Sequence, residues 1–127
     1  AFLSDREISV GIHAGASGMS DRYAFVTGPS EGISGICTSS ATVGPSLSLG
    51  MADAVTVCAR NPALADAWAT AVCNRVRKED TSVVDEALLG GSDGVYVIIG
   101  DWHCRKGTLP RLVKARVRHD LITGGLL

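Results

Sequence analysis

The chain has 127 residues, of which 46% are hydrophobic and 20% are charged, and its formal net charge is −1. This size and composition favour one globular unit with its own core, and they exclude a disordered chain, which would carry more charge and fewer aliphatic residues. The small net charge predicts no nucleic-acid partner, and the lack of an 18-residue apolar run predicts no membrane partner.

Three short strands are predicted in the first third of the chain. Residues 7–14 alternate, with one set of side chains facing a core and the other facing away (Ile8, Val10, Ile12 and Ala14 against Ser9, Gly11 and His13). On this strand, His13 either lines a cleft or is an ordinary solvated histidine. Residues 22–27 and 33–37 form the next two strands, joined by a glycine- and proline-containing turn at 28–32.

A loop and a fully buried strand lead into the strongest predicted helix. Residues 38–50 are mostly Ser, Thr, Gly and Pro, which is typical of an ordered loop or a broken strand, whereas residues 54–59 are apolar except for Thr56. Asn61 suits the N-cap and Pro62 the first helical position of a helix that runs to about Lys78. The helical period places some side chains on a buried face (Leu64, Trp68, Ala71 and Val72) and others on the opposite face (Asp66, Thr70, Cys73, Asn74 and Arg77).

The remainder of the chain adds one helix and two strands. A shorter helix begins with Thr81 or Ser82 as its cap, in a capping-box pattern with Asp85 or Glu86, and runs to Leu89 before two glycines. Residues 95–99 read as a buried strand. Residues 111–118 alternate, with a basic outer face (Lys114, Arg116 and Arg118, followed by His119) that suits a solvated edge strand at least as well as a nucleic-acid patch. Mixed strands and helices, with strands in the majority, predict an α+β domain.

The four cysteines contain no C-x-x-C pair, which argues against a zinc knuckle or a disulfide scaffold. Reduced thiols in a cytoplasmic protein are therefore expected. His103 and Cys104 are adjacent, but neighbouring residues of an extended chain point to opposite sides, so a thiol–imidazole pair is not expected.

Two groups of residues suggest a ligand site. The hydroxyl-rich loop, with Thr38, Ser39, Ser40, Thr42 and Ser46, presents N–H and O–H groups suited to phosphate oxygens, although it lacks the spacing and lysine of a P-loop and can equally be a simple connector. On the first helix, Asp66 and Thr70 lie one turn apart, so that a carboxylate and a hydroxyl share one face. Two such oxygens suit Mg²⁺, which takes waters and phosphate oxygens as its other ligands.

Residues 38–76 carry a resemblance to a known family. They read TSSATVGPSLSLGMADAVTVCARNPALADAWATAVCNRV. This resembles the ApbE-like superfamily, whose namesake members are Mg²⁺-dependent flavin transferases. The resemblance is greatest to the shorter cytosolic branch of the superfamily, whose pattern is similar to TSSGTVGHSLSFGKADAVTV followed by ALADAAATAIGNRV. The segment ISVGIHAG at 8–15 matches more loosely.

The resemblance implies a fold, a ligand and a metal. The fold is a mixed or antiparallel sheet packed with helices, as in one half of a T-fold. In the pattern Ala-Asp-Ala-x-Ser/Ala-Thr the aspartate and threonine, here Asp66 and Thr70, hold Mg²⁺ beside the FAD pyrophosphate. Ser39 and Ser40 then lie on a loop near the ligand.

Three residues depart from the family pattern. Ala41, Pro45 and Met51 stand where the pattern has Gly, His and Lys, and Pro45 removes both an imidazole and an N–H group. The chain also starts at Ala1 without the upstream half of the family pattern. Residues 1–127 are therefore expected to be the C-terminal portion of a longer protein, partnered by its upstream half or by a second copy.

The function expected from these residues is binding of a phosphate-bearing small molecule of the FAD or FMN type. If chemistry occurs, the resemblance implies Mg²⁺-dependent flavin transfer, with no catalytic residue assigned. The alternative is a non-catalytic assembly domain that keeps the superfamily fold.

Overall fold

A computed structural model describes residues 6–15, 17, 22–28, 34–41 and 50–114. Within them lie seven strands and two helices, in the chain order β1 (Ile8–Gly11), β2 (Tyr23–Thr27), β3 (Gly35–Ser39), β4 (Ala54–Ala59), α1 (Pro62–Arg75), α2 (Ser82–Leu89), β5 (Gly94–Ile99), β6 (Trp102–Gly107) and β7 (Arg111–Lys114). Neither helix is long and apolar enough to cross a membrane.

The strands form two antiparallel sheets. One has the order β1-β2-β7 and the other the order β3-β4-β5-β6. Both helices pack against the four-stranded sheet, which confirms the α+β class. Every strand of the four-stranded sheet is antiparallel to its neighbours, with Thr38 opposite Thr56, Thr56 opposite Tyr96, and Tyr96 opposite Arg105.

The four-stranded sheet separates two hydrophobic clusters. The cluster on the helical side is made of small aliphatic residues, mainly valines of β4 and β5 against alanines and valines of the helices. The cluster on the other side joins Ala54, Tyr96 and Ile98 of this sheet to Phe25 of β2 and to Ile12 after β1. Since side chains alternate along a strand, the two fully buried central strands serve both clusters at once.

Most of the predicted elements are present with shifted ends. The alternation at 8–14 is confirmed, with Ile12 and Ala14 buried and His13 exposed. The strand predicted at 111–118 is observed as Arg111–Lys114, and residues 115–119 lie outside the described residues. Strand β6 has no counterpart among the predicted strands, because its sequence WHCRKG is rich in polar and basic residues. Its exposed His103 and half-buried Cys104 do point to opposite sides.

The predicted faces of α1 need correction. Its buried residues are Ala65, Ala69, Val72 and Cys73, so Cys73 belongs to the core and not to the polar face. Leu64 and Trp68, predicted to be buried, are only half-buried. The helix turns its smallest side chains to the sheet, while the indole of Trp68 lies against Gly90, where a Cβ atom would overlap it. Asp66 and Thr70 are exposed, as predicted.

The two helix starts differ in how they are capped. The side chain of Asn61 accepts hydrogen bonds from the backbone N–H groups of Ala63 and Leu64, at 3.0 and 3.3 Å, as predicted. Thr81 occupies the N-cap position of α2 but its side chain makes no capping bond. Instead the carboxylate of Asp80, one residue earlier, accepts from the Ser82 N–H at 3.0 Å. The predicted capping box is therefore wrong.

Candidate functional site

Strand β3 lies against helix α1 along the whole length of the strand. At one end Gly35 touches Pro62 so closely that a Cβ atom would not fit, and at the other end the hydroxyl oxygens of Ser39 and Thr70 are 3.4 Å apart. Four residues of strand and eight of helix each advance about 12–13 Å, which explains why the two elements stay in step. Residues 35, 37 and 39, on the helical side of the strand, therefore meet successive turns of α1.

The predicted pair, Asp66 and Thr70, is assembled on the exposed side of this contact. The Thr70 hydroxyl donates to the backbone carbonyl of Asp66 at 3.2 Å, one turn earlier. When it does so, the Ser39 hydroxyl donates to Thr70, and one lone pair of the Thr70 oxygen is left for a ligand. No described residue forms an ion pair or hydrogen bond with the Asp66 carboxylate, which is exposed to solvent.

Cys37 belongs to the same surface, although it was not among the predicted site residues. Its thiol is half-buried and donates weakly to the carbonyl of Pro62, with a sulfur–oxygen distance of 3.8 Å. Burial, and after it the negative charge of Asp66, raises the pKa of this thiol above its usual value. Cys37 is therefore protonated at neutral pH and is no nucleophile there. Positions 37 and 39 are two residues apart on one strand, so their side chains lie on the same face. This spacing was the sequence feature that could have identified Cys37.

The hydroxyl-rich loop is only partly brought to the pair. Ser39 reaches Thr70, whereas Thr38 points to the other face of the sheet, where its hydroxyl lies 2.8 Å from that of the buried Thr56. Ser40 is half-buried at the end of the strand. Thr42 and Ser46, together with Pro45, lie outside the described residues. The site that the structure shows thus consists of Ser39, Asp66 and Thr70.

The donor set of this site fits one class of metal. It contains one carboxylate and two hydroxyl groups, all hard oxygen donors, and in the described part of the chain no three His, Cys, Asp or Glu residues are grouped to hold an ion. Zinc prefers nitrogen and sulfur ligands, whereas Mg²⁺ is commonly held by one or two protein carboxylates with waters and substrate phosphates. The residues therefore fit Mg²⁺ only in company with a phosphate-bearing ligand.

A separate groove of about 510 Å³ opens at the opposite end of β3. Its walls come from the ends of β2 and β4, the start of β3 and the link 108–110, with Arg60 and Asp93 as its charged residues. Ser39, Asp66 and Thr70 do not line it. The candidate pair is thus a surface site at the side of the sheet, which in this structure is distinct from the groove.

Comparison with known proteins identifies the family. The family model described as "AbpE bacteria", an ApbE-related family, matches residues 1–88. The chain belongs to this family.

Its relatives include several proteins that bear the name "UPF0280 protein". The chain is 57% identical to the one from Methanoculleus marisnigri over 125 residues, which cover 98% of this chain and 51% of the relative. It is 55% identical to the one from Methanoregula boonei over 126 residues, or 98% of this chain and 53% of the relative. The chain thus spans about half the length of the curated relatives it matches.

Proposed function

We propose that this chain binds a phosphate-bearing small molecule together with Mg²⁺ at the surface formed by Ser39, Asp66 and Thr70. FAD is the first candidate for this ligand. The observation that carries the proposal is the 3.4 Å contact between Ser39 and Thr70, because it joins the hydroxyl-rich loop to the helical pair. Membership of the ApbE-related family supports the choice of ligand. In this proposal Ser40, Thr42 and Ser46 contribute N–H and O–H groups to the phosphates, and Thr38 contributes through its backbone.

The residues have separate roles in this proposal. The Asp66 carboxylate supplies the negative charge that a hard cation needs, and the Thr70 oxygen supplies a second, neutral ligand. Ser39 holds the Thr70 hydroxyl in place through their hydrogen bond. Bound Mg²⁺ would supply Lewis-acid polarisation of a phosphate oxygen, which is the chemistry that flavin transfer requires. The protonated Cys37 thiol beside Asp66 keeps a second negative charge out of the site.

A second candidate function is a non-catalytic domain that serves in assembly. Two observations favour it: the site has a single carboxylate, and the chain covers only about half of its relatives. In this alternative, any chemistry belongs to the part of the relatives that lies outside the match. Both candidates place the protein in the cytoplasm, which suits its four free thiols.

Calorimetry with FAD, with and without Mg²⁺, separates the two candidates. We expect FAD to bind in the presence of Mg²⁺, and Asp66→Asn to weaken that binding by at least about tenfold, since even outer-shell partners of a metal contribute that much. The matched control is Asp101→Asn, which removes an exposed carboxylate next to β6, at the far edge of the sheet from β3, and should leave the affinity unchanged.

The stability of the variants completes this test. Asp66 is exposed, so Asp66→Asn should change the free energy of unfolding by no more than about 0.5 kcal/mol. Inorganic pyrophosphate should compete with FAD if the phosphates are what the site recognises. If the parent chain shows no affinity for FAD, or if Asp66→Asn binds it equally well, the assembly function remains.

A further inference from the structure

The edge of β1 that faces away from β2 pairs with no described strand, and its backbone groups can pair with another strand. The Ile12 N–H donates to the Tyr23 carbonyl at 3.0 Å, and Ile8 and Val10 follow in the same register opposite Thr27 and Phe25. In an antiparallel pair, alternate residues exchange hydrogen bonds with the partner strand and the residues between them point away. The N–H and C=O groups of Ser9 and Gly11 therefore face away from β2.

This edge lacks the charged side chains that protect the edge strands β6 and β7. Strand β7, at the opposite edge of the same sheet, has exposed Arg111 and Lys114, and β6 has exposed His103 and Arg105. Strand β3 is also uncharged, and α1 packs on its helical face. Strand β1, with the sequence ISVG, has neither charge nor a described covering element. Charged side chains on edge strands normally prevent strand addition, so β1 is a permissive edge of the described fold.

We propose that the β1 edge is a strand-addition site, and that its occupant is an extended segment from the part of the longer relatives that lies outside the match. The first relatives extend well beyond the match, which covers only 51% and 53% of their lengths. Pairing there would extend the three-stranded sheet and satisfy the outward groups of Ser9 and Gly11. The inference is independent of the proposed FAD site, which lies on the other sheet.

The test mixes this chain with the unmatched part of the Methanoculleus marisnigri relative, produced by co-expression where it is insoluble alone. Ser9→Pro removes an outward N–H group and leaves the bonds to β2 intact, because proline is tolerated where the N–H of an edge strand faces solvent. We expect this change to weaken the complex by about tenfold or more, since the missing donor and the bulk of the ring act together. Ser9→Ala, which keeps the N–H, should bind as the parent does.

Lys114→Pro is the matched control. Ala24 and Val26 of β2 face β7, so the backbone N–H of Lys114 points outward on the charged edge of the same sheet. This variant should bind normally. Ser9→Lys provides a second variant with the N–H intact, and its added charge should weaken the complex. In amide hydrogen exchange, Ser9 and Gly11 should exchange quickly in the chain alone and slowly in the complex.

Four results would overturn the proposal. The first is that no complex forms, or that Ser9→Pro and Ser9→Lys both bind as the parent does. The second is that Lys114→Pro weakens the complex as much as Ser9→Pro. The third is slow exchange of Ser9 and Gly11 in the chain alone, which would mean that the edge is already covered. The fourth is self-association that Ser9→Pro abolishes, which would make a second copy the occupant.

Discussion

The two faces of the four-stranded sheet are held by different kinds of contact. On the helical face, one cluster contains Val57 and Val97 together with Ala65 and Ala69, and no aromatic ring of a described residue is fully buried in it. On the other face, the rings of Phe25 and Tyr96 meet edge to face, with centroids 5.8 Å apart. More than half of the chain's length lies between these two aromatic residues.

This difference shows two ways to build a core from a sequence with few aromatic residues. The helical face relies on close approach, since glycines let α1 contact β3 directly at Gly35 and the segment before β4 directly at Gly50. The sheet-to-sheet face relies on a few large side chains that bridge a wider separation. We therefore expect the first face to be sensitive to added atoms and the second to be sensitive to removed atoms.

Removing the Phe25 ring should produce the largest effect. Phe25 is fully buried and joins the two sheets, so Phe25→Ala should lower the free energy of unfolding by about 3–5 kcal/mol. Val57→Ala, on the helical face, should cost about 2 kcal/mol because fewer methyl groups are lost. Urea unfolding of the three proteins measures both values. Equal losses in the two variants would contradict the distinction between the faces.

Adding one methyl group at Gly35 should produce the next largest effect. A Cβ atom there would overlap the backbone of Pro62, which is part of a helix and cannot rotate away. Gly35→Ala should therefore destabilise the protein by about 1–3 kcal/mol. Gly28→Ala is the control, because a Cβ atom at Gly28 meets nothing within 4 Å, and it should stay within about 0.5 kcal/mol of the parent. Comparable losses at both positions would show that close approach is not the cause.

The contrast also explains how much of the fold was predictable. Local signals worked: the apolar runs of β4 and β5, and the Asn-Pro start of α1, predict their elements correctly. The rotation of α1 was not predictable from hydrophobicity, because Ala65 and Ala69 face the sheet while the larger Leu64 and Trp68 are only half-buried. Close packing favours small residues at the contact between α1 and the sheet. The periodicity of the helix alone does not show which elements pack against each of its faces.

The candidate site was also predictable only in part. The spacing of Asp66 and Thr70 placed both on one exposed helical face, as observed. The approach of Ser39 could not be derived from spacing within α1, because it depends on β3 lying beside the helix. The separation of Thr38 from Ser39 follows from strand alternation, once these residues are known to lie in a strand and not in a loop.

A smaller effect is expected from the cap of α1. Asn61→Ala removes an acceptor shared by two backbone N–H groups, so it should destabilise the protein by about 1 kcal/mol. Thr81→Ala at the same position of α2 is the control, because the Thr81 side chain makes no capping bond. Thermal unfolding followed by circular dichroism compares the two. A larger loss from Thr81→Ala than from Asn61→Ala would contradict the assignment of the caps.

The smallest effect concerns Asp80, which takes the place of a cap on α2. Hydrogen bonds from the side chain and the backbone of Ser82 lower the pKa of the Asp80 carboxyl below its usual value of 3.8. Since the unfolded chain then binds the proton more tightly, the stabilising contribution of Asp80 is present above pH 3.8 and is lost as the pH falls through the lower, folded-state pKa. Asp80→Asn should therefore lose less stability than the parent as the pH falls below 3.8. Ser82→Ala, which keeps the backbone bond, should lie between the two. Urea unfolding midpoints at several pH values measure this difference. Parallel pH profiles for the parent and Asp80→Asn would show that the hydrogen bonds between Asp80 and Ser82 do not stabilise the start of α2.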